Sequence, residues 1–72
     1  MKLGAKVRLR RKMLGLSQGQ LSRQTGISRP YITQIENGVH SPSAPILAAL
    51  AKGLKCTADY LVENEDKGRK AG

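Results

Sequence analysis

Apolar residues recur at intervals of three and four along most of the chain, and short polar segments containing glycine, serine or proline separate the apolar stretches. Such spacing places the apolar side chains on one face of a helix, whereas no stretch shows the alternation typical of a β-strand. The pattern therefore predicts an all-α fold. The predicted helices are residues 3–14, 17–25, about 28–37, 44–52 and 58–63.

Polar residues at the predicted helix starts have the spacing of N-caps. Ser17 and Gln20 match a capping box, in which each side chain bonds the backbone N–H of the other residue. Ser28 is expected to cap the third helix, with Pro30 in the first turn, where a missing N–H breaks no helical hydrogen bond. The N-caps predicted for the fourth and fifth helices are Ser43 and Thr57.

Glycines are predicted to end helices and to form one bend. Gly15 and Gly53 should end the first and fourth helices, and at Gly15 the reason is that glycine adopts a positive φ without a Cβ clash. Gly26 lies between the second and third helices, which are only a few residues apart, so these helices are expected to meet in a tight αα corner. Ser22 is small enough for their crossing point.

The composition indicates one small domain with an aliphatic core. The chain has 72 residues, with no Phe and no Trp, so Leu, Ile, Val and Ala must fill the interior. Residues 65–72 lack large apolar side chains and are expected to form a flexible charged tail behind a domain at residues 1–64. Four basic residues of the first helix lie largely off its apolar stripe, namely Lys6, Arg8, Arg10 and Lys12.

The net charge of +8 is concentrated in the first half of the chain. Residues 1–40 contain eight Lys or Arg and one acid, whereas residues 41–72 contain five Lys or Arg and four acids. A basic half is typical of proteins that bind a polyanion, since its field attracts phosphates over a Debye length of ~8–10 Å. The alternative is a basic surface kept for solubility.

Other sequence features favour a cytoplasmic protein. Cys56 is the only cysteine, so an intrachain disulfide is excluded and a reducing compartment is indicated. We expect Cys56 to be a small core or interface residue. No apolar stretch follows the charges of MKLGAKVRLRRK, so no signal peptide is expected. No apolar run in the sequence approaches the ~18 residues of a membrane span.

The third predicted helix carries polar side chains away from its apolar face. With the segments LSQGQLSRQTGISRPYITQIENG and PILAALAKGLKCTADYLV, this arrangement resembles the helix-turn-helix domain of phage repressors and Cro proteins over about residues 3–64. The resemblance implies a compact five-helix bundle of the lambda-repressor type. Members of that family are prokaryotic sequence-specific DNA-binding proteins, usually dimeric on palindromic operators.

Position by position, the resemblance implies that the third helix reads bases of double-stranded DNA through Arg29, Pro30, Thr33 and Gln34. The Arg29 fork suits O6 and N7 of guanine, and the Gln34 amide suits N6 and N7 of adenine. Thr33 offers a methyl to thymine or a hydroxyl to phosphate, and Pro30 offers only an apolar contact. The positions implied to bind phosphate are Gln18, Ser28, Tyr31, Asn37, His40 and Ser41.

The resemblance also implies structural roles and partners. Glu36 should pair with Arg11 and orient the first helix against the third, and Gly26 should form the bend. A second copy of the chain is the expected protein partner, with a contact near Tyr60 and residues 54–57. No cofactor, metal or small-molecule ligand is expected, and His40 has no second metal ligand near it in sequence.

Three other classes of function fit the sequence less well. A protein-interaction module, such as an antitoxin or coactivator-type domain, should present an apolar outer face on the third helix, whereas this one is polar. RNA binding is disfavoured because exposed aromatic residues that stack on unpaired bases are missing. An enzyme is disfavoured because one His, one Cys and five scattered acids form no nucleophile–base pair.

Overall fold

The computed structural model describes residues 2–62, which form helices joined by short loops, without a β-strand. The helices are α1 (Leu3–Met13), α2 (Gln18–Thr25), α3 (Arg29–Glu36) and α4 (Ala44–Gly53). Residues 58–62 are also helical and are called α5. The predicted all-α, five-helix fold is therefore confirmed. The predicted tail, residues 65–72, and the predicted domain end at residue 64 lie outside the described part.

The core is aliphatic, as the composition predicts. α3 packs against α1 and α2, and α2 also packs against α4. Ile32 and Ile35 anchor α3 in this core, which leaves the opposite face of α3 toward solvent. No helix within residues 2–62 is long and apolar enough to span a membrane. The buried hydrophobic residues are Val7, Leu21, Ile27, Ile32, Ile35, Leu50, Ala51, Leu54 and Leu61.

Two glycines allow helices to approach closely. A Cβ atom on Gly4 would overlap the carbonyl oxygens of Ile35 and Glu36, so α1 crosses the end of α3 where α1 has no side chain. A Cβ atom on Gly53 would lie 2.6 Å from Cγ2 of Thr25 on α2. α4 does end at Gly53, as predicted, but the residue with positive φ is Lys55, at 58°. Gly53 therefore serves packing rather than helix termination.

The capping predictions are confirmed at three of four helix starts. Ser17 and Gln20 form the capping box, with the Gln20 N–H 3.0 Å from Ser17 Oγ and the Ser17 N–H 2.8 Å from Gln20 Oε1. The N–H of residue 31 donates to Ser28 Oγ (3.3 Å), and that of residue 60 donates to Thr57 Oγ1 (3.0 Å).

The side-chain cap predicted at the start of α4 was wrong. Ser43 occupies the N-cap position, but its side chain forms no capping hydrogen bond. Pro45 follows at the second helical position and has no N–H, so only the N–H of Ile46 was available to the hydroxyl. The backbone carbonyl of Ser43 still accepts the first helical hydrogen bond, from the Leu47 N–H at 2.8 Å.

Candidate nucleic-acid interface

The corner between α2 and α3 is built by local hydrogen bonds around Gly26. Gly26 has a φ of 78°, the left-handed conformation that the sequence predicted there. The Ser22 hydroxyl donates to the Ile27 carbonyl across the corner. Thr25 Oγ1 donates to the Leu21 carbonyl (2.8 Å) and accepts from the Ile27 N–H (3.2 Å). Because these contacts fix the turn, they set the angle at which α3 leaves α2.

The face of α3 opposite the core is polar, as predicted. Thr33 and Tyr31 are half-buried at its two edges. Arg29 occupies the first helical position, where a positive charge is unfavourable to the helix dipole. This cost favours an anion in front of α3. The exposed residues of the face are Arg29, Pro30, Gln34 and Asn37.

Glu36 lies on the inner side of α3 and is surrounded by donors. Arg11 donates from Nε to Oε2 (2.7 Å) and from Nη2 to Oε1 (3.2 Å), and Arg8 Nε lies 3.5 Å from Oε1. Burial by itself would raise the pKa of Glu36. The hydrogen bonds from Arg11, Gln18 and Arg8, together with the Arg11 charge, outweigh burial and hold the pKa below its ordinary value of 4.5. The predicted Arg11–Glu36 ion pair is therefore confirmed.

Two predicted DNA contacts, Gln18 and Thr33, are joined to each other and to Glu36. Gln18 Nε2 donates to Glu36 Oε1 (3.1 Å), and the Thr33 hydroxyl donates to Gln18 Oε1 (2.9 Å). The sequence contained no signal for this connection, because the two residues lie on different helices and their contact depends on how the helices cross. The second N–H of the Gln18 amide donates to no residue within the described range 2–62.

The remaining predicted phosphate contacts lie around the ends of α3. Ser28 Oγ accepts the capping bond, and its hydroxyl donates to no other residue that the structure describes. The rings of Tyr31 and His40 lie 5.4 Å apart at 60°, which brings the loop after α3 back toward the start of that helix. His40 and Ser41 are exposed and line a surface cleft of about 120 Å³. Asn37 is exposed at the C-cap of α3.

The prediction that Lys6 lies off the buried face was wrong. Its side chain is buried, with Nζ donating to the Tyr60 carbonyl (2.8 Å) and lying 4.3 Å from the centre of the Tyr60 ring. Arg10 donates to the carbonyls of Leu54 and Lys55, at 2.9 and 3.0 Å. Helical spacing locates the core face of α1 but does not reveal that the segment leading into α5 covers its flank.

Half of the basic residues in the first forty positions therefore serve the fold. Lys6 and Arg10 bind backbone carbonyls, and Arg8 and Arg11 bind Glu36. The other four are exposed, and their side chains form no hydrogen bond or ion pair with another described residue. These four are the cations most available to an external anion. They are Lys2, Lys12, Arg23 and Arg29.

Comparison with known proteins identifies the fold family. The family model described as helix-turn-helix matches residues 7–61. The P22 c2 repressor, solved in complex with a synthetic operator, has a TM-score of 0.81 and 38% identity, covering 85% of this chain and 92% of that one.

Proteins related to this chain by sequence support the same assignment. An uncharacterized HTH-type transcriptional regulator of Mycobacterium tuberculosis is 38% identical over 81% of this chain, which spans only 41% of that protein. The ImmF control region 10 kDa protein of Bacillus phage phi105 is 36% identical, with 99% of this chain and 87% of that protein aligned. Together with the corner at Gly26 and the outward polar face of α3, these matches show that the chain belongs to the helix-turn-helix family.

Proposed function

We propose that this chain binds double-stranded DNA sequence-specifically as a prokaryotic transcriptional repressor, with α3 in the major groove of its operator. The observation that carries the proposal is the outer face of α3. There Arg29, Gln34 and Asn37 are exposed, and their side chains have no partner among the described residues. The solved operator complex of the P22 c2 repressor, a relative of the same fold, supports it.

Different residues of this surface have different roles. Arg29 and Gln34 carry forked side chains that suit guanine and adenine edges, and Pro30 supplies an apolar contact between them. Thr33 lies one turn after Arg29 and completes the base-reading set. The residues proposed to hold the phosphate backbone, which position the protein without reading sequence, are Gln18, Ser28, Tyr31, Asn37, His40 and Ser41.

The polar character of α3 argues against the protein-interaction alternative. A docking face for a partner protein is depleted of charged residues at its centre and enriched in aromatic and apolar ones. On α3 the only exposed apolar side chain is that of Pro30. We also propose that the protein has no catalytic activity and acts in the cytoplasm.

We further propose that two copies bind together. One eight-residue recognition helix contacts only a few base pairs, so a dimer on a palindrome with half-sites ~34–36 Å apart would supply the specificity a regulator needs. The contact is proposed near Tyr60 and residues 54–57. Lys6 and Arg10 bind backbone carbonyls of this segment, those of Tyr60, Leu54 and Lys55.

Selection of bound sites from a random duplex pool tests the proposal. We expect a palindromic consensus with half-sites one helical turn apart, and two chains per selected duplex by analytical ultracentrifugation. A pool that is not enriched, or is bound equally well at every sequence, would contradict sequence-specific binding. An enriched site without dyad symmetry, bound by one chain, would contradict the dimer alone.

A further inference from the structure

We propose that Thr33 faces the major groove as a hydrogen-bond acceptor only, so that it reads the exocyclic amino group of adenine or cytosine and does not bind phosphate. The inference rests on the proposed DNA-binding function and specifies one contact within it. It follows from a directed chain of hydrogen bonds that starts at Glu36 and passes through Gln18.

The direction of this chain is set at Glu36. Its side chain is fully buried, and two Arg11 nitrogens hold its carboxylate oxygens. An ionised carboxylate only accepts hydrogen bonds. The Gln18 amide atom 3.1 Å from Glu36 Oε1 must therefore be the NH₂ group, because an amide oxygen there would face the carboxylate without a proton. The orientation of the Gln18 amide is thus fixed by charge.

The orientation of Gln18 in turn fixes the hydroxyl of Thr33. With the NH₂ group toward Glu36, the amide oxygen faces Thr33 Oγ1 at 2.9 Å, and an amide oxygen only accepts. Thr33 must therefore donate its single hydrogen inward. A second internal acceptor, the Arg29 carbonyl, lies 3.2 Å from the same oxygen. The hydroxyl retains lone pairs for an outside donor and has no hydrogen left to give.

Because the Thr33 hydroxyl can only accept, it can bind only hydrogen-bond donors in the major groove. Guanine O6 and N7, adenine N7 and thymine O4 are all acceptors, and the donors are the N6 amino group of adenine and the N4 amino group of cytosine. Phosphate oxygens are acceptors as well. Thr33 is half-buried beside exposed Gln34, so part of it is accessible to a base edge. An acceptor at this position matches only the amino groups.

The test is a double-mutant cycle between the protein and the base pair. Thr33→Val keeps the shape and removes the hydroxyl, whereas Thr33→Ser keeps the hydroxyl and removes the methyl. Site selection with wild type and Thr33→Val first identifies the base pair whose preference depends on the hydroxyl. Affinity is then measured on duplexes altered only at that pair, with circular dichroism and thermal unfolding as folding controls for both variants.

Two analogues distinguish a donor contact from an acceptor contact. For an A·T pair, purine in place of adenine removes the amino group, and 7-deazaadenine removes the N7 acceptor. For a G·C pair, 2-pyrimidinone in place of cytosine removes the amino group, and 7-deazaguanine in place of guanine removes the N7 acceptor. We expect loss of the amino group to weaken wild type and Thr33→Ser by about 3- to 10-fold more than Thr33→Val. Loss of N7 should affect all three proteins equally.

Results that contradict the inference about Thr33 can be distinguished from failure of the proposed DNA-binding function. If loss of N7 couples to Thr33 and loss of the amino group does not, Thr33 donates and the inference is wrong. If Thr33→Val changes no base preference but weakens every sequence alike, Thr33 binds phosphate and the inference is also wrong. If wild type itself selects no sequence, the DNA-binding proposal fails before Thr33 is tested.

Discussion

The guanidinium of Arg11 on α1 binds both carboxylate oxygens of Glu36 on α3, with Nε 2.7 Å from Oε2 and Nη2 3.2 Å from Oε1. The same guanidinium donates from Nη1 to the Leu16 carbonyl at 2.9 Å. One side chain thus connects α1, the turn before α2, and α3. Glu36 also orients Gln18. The Arg11–Glu36 pair therefore positions the proposed DNA-reading surface, although the pair lies on the inner side of α3 and the surface on the outer side.

Removing one partner of this pair should strongly destabilise the protein. Arg11→Met leaves the Glu36 carboxylate buried without its main partner, so we expect the free energy of unfolding to fall by about 3–5 kcal/mol. Urea denaturation followed by circular dichroism measures the change. Arg8→Met is the matched control, because Arg8 is half-exposed and 3.5 Å from Glu36, and it should cost less than about 1 kcal/mol. Equal losses of unfolding free energy in both variants would mean that the bidentate contact of Arg11 contributes no more stability than the single contact of Arg8.

Glu36 should also make the protein sensitive to acid. Its pKa is lowered in the folded state, so its contribution is fully present above the ordinary pKa of 4.5 and is lost as the pH falls through the lower folded value. We expect the urea concentration at the unfolding midpoint of wild type to decrease when the pH falls below 4.5. We expect Glu36→Gln to be less stable at neutral pH and to lose stability less steeply over that range. Parallel pH profiles for the two proteins would show that other groups cause the acid response.

Gly53 should not tolerate a side chain. In Gly53→Ala the new methyl would lie 2.6 Å from Thr25 Cγ2 and 3.1 Å from Leu21 Cδ1. The resulting separation of α4 from α2 should cost about 1–3 kcal/mol of stability. The matched control is Gly19→Ala in α2, where the nearest atom would be 3.8 Å away. There alanine should stabilise by up to about 1 kcal/mol, since it is the better helix former. Thermal unfolding compares the two, and a stabilised Gly53→Ala would refute the packing role.

Gln34 is predicted to read one base position per half-site. Gln34→Ala should weaken binding to the selected operator by about 1–3 kcal/mol and relax the preference at that position, because a forked amide contact is lost. Gln24→Ala is the control, as Gln24 is an exposed glutamine on α2 outside the proposed surface. Repeating the site selection with each variant measures the effect. An unchanged consensus for Gln34→Ala would remove Gln34 from the base-reading set.

DNA affinity should fall steeply with salt. Each neutralised phosphate contributes a slope of about −0.9 to log K against log[salt], so a dimer with three or four contacts per subunit should lose several orders of magnitude between ~50 and ~200 mM salt. Replacing the other three exposed cations of the first forty residues without an internal partner, Lys2, Lys12 and Arg23, by alanine should flatten the slope by about 1 unit for each one that meets a phosphate. Lys52→Ala removes an exposed cation of α4 and should leave it unchanged. Fluorescence anisotropy measures both slopes, and a flat wild-type response would contradict phosphate neutralisation.

The sequence by itself determined the features that depend on neighbours within one helical turn. The capping box of Ser17 and Gln20 and the cap at Ser28 were predictable because donor and acceptor lie three residues apart. The bend at Gly26 was predictable because few other residues adopt its φ of 78° without strain. The buried face of α3 followed from helical spacing, and its outward polar face followed with it.

Only the tertiary structure decided which groups meet across helices. Lys6 is buried against Tyr60, which lies 54 residues later, and Gln18 bonds Thr33 across the corner between α2 and α3. Helical periodicity tells which face of a helix is covered, but the angle and depth at which another helix covers it depend on the packing of the whole core. Hydrogen bonds form only within about 3 Å, so small differences in that packing decide whether Thr33 donates inward or is free to donate outward.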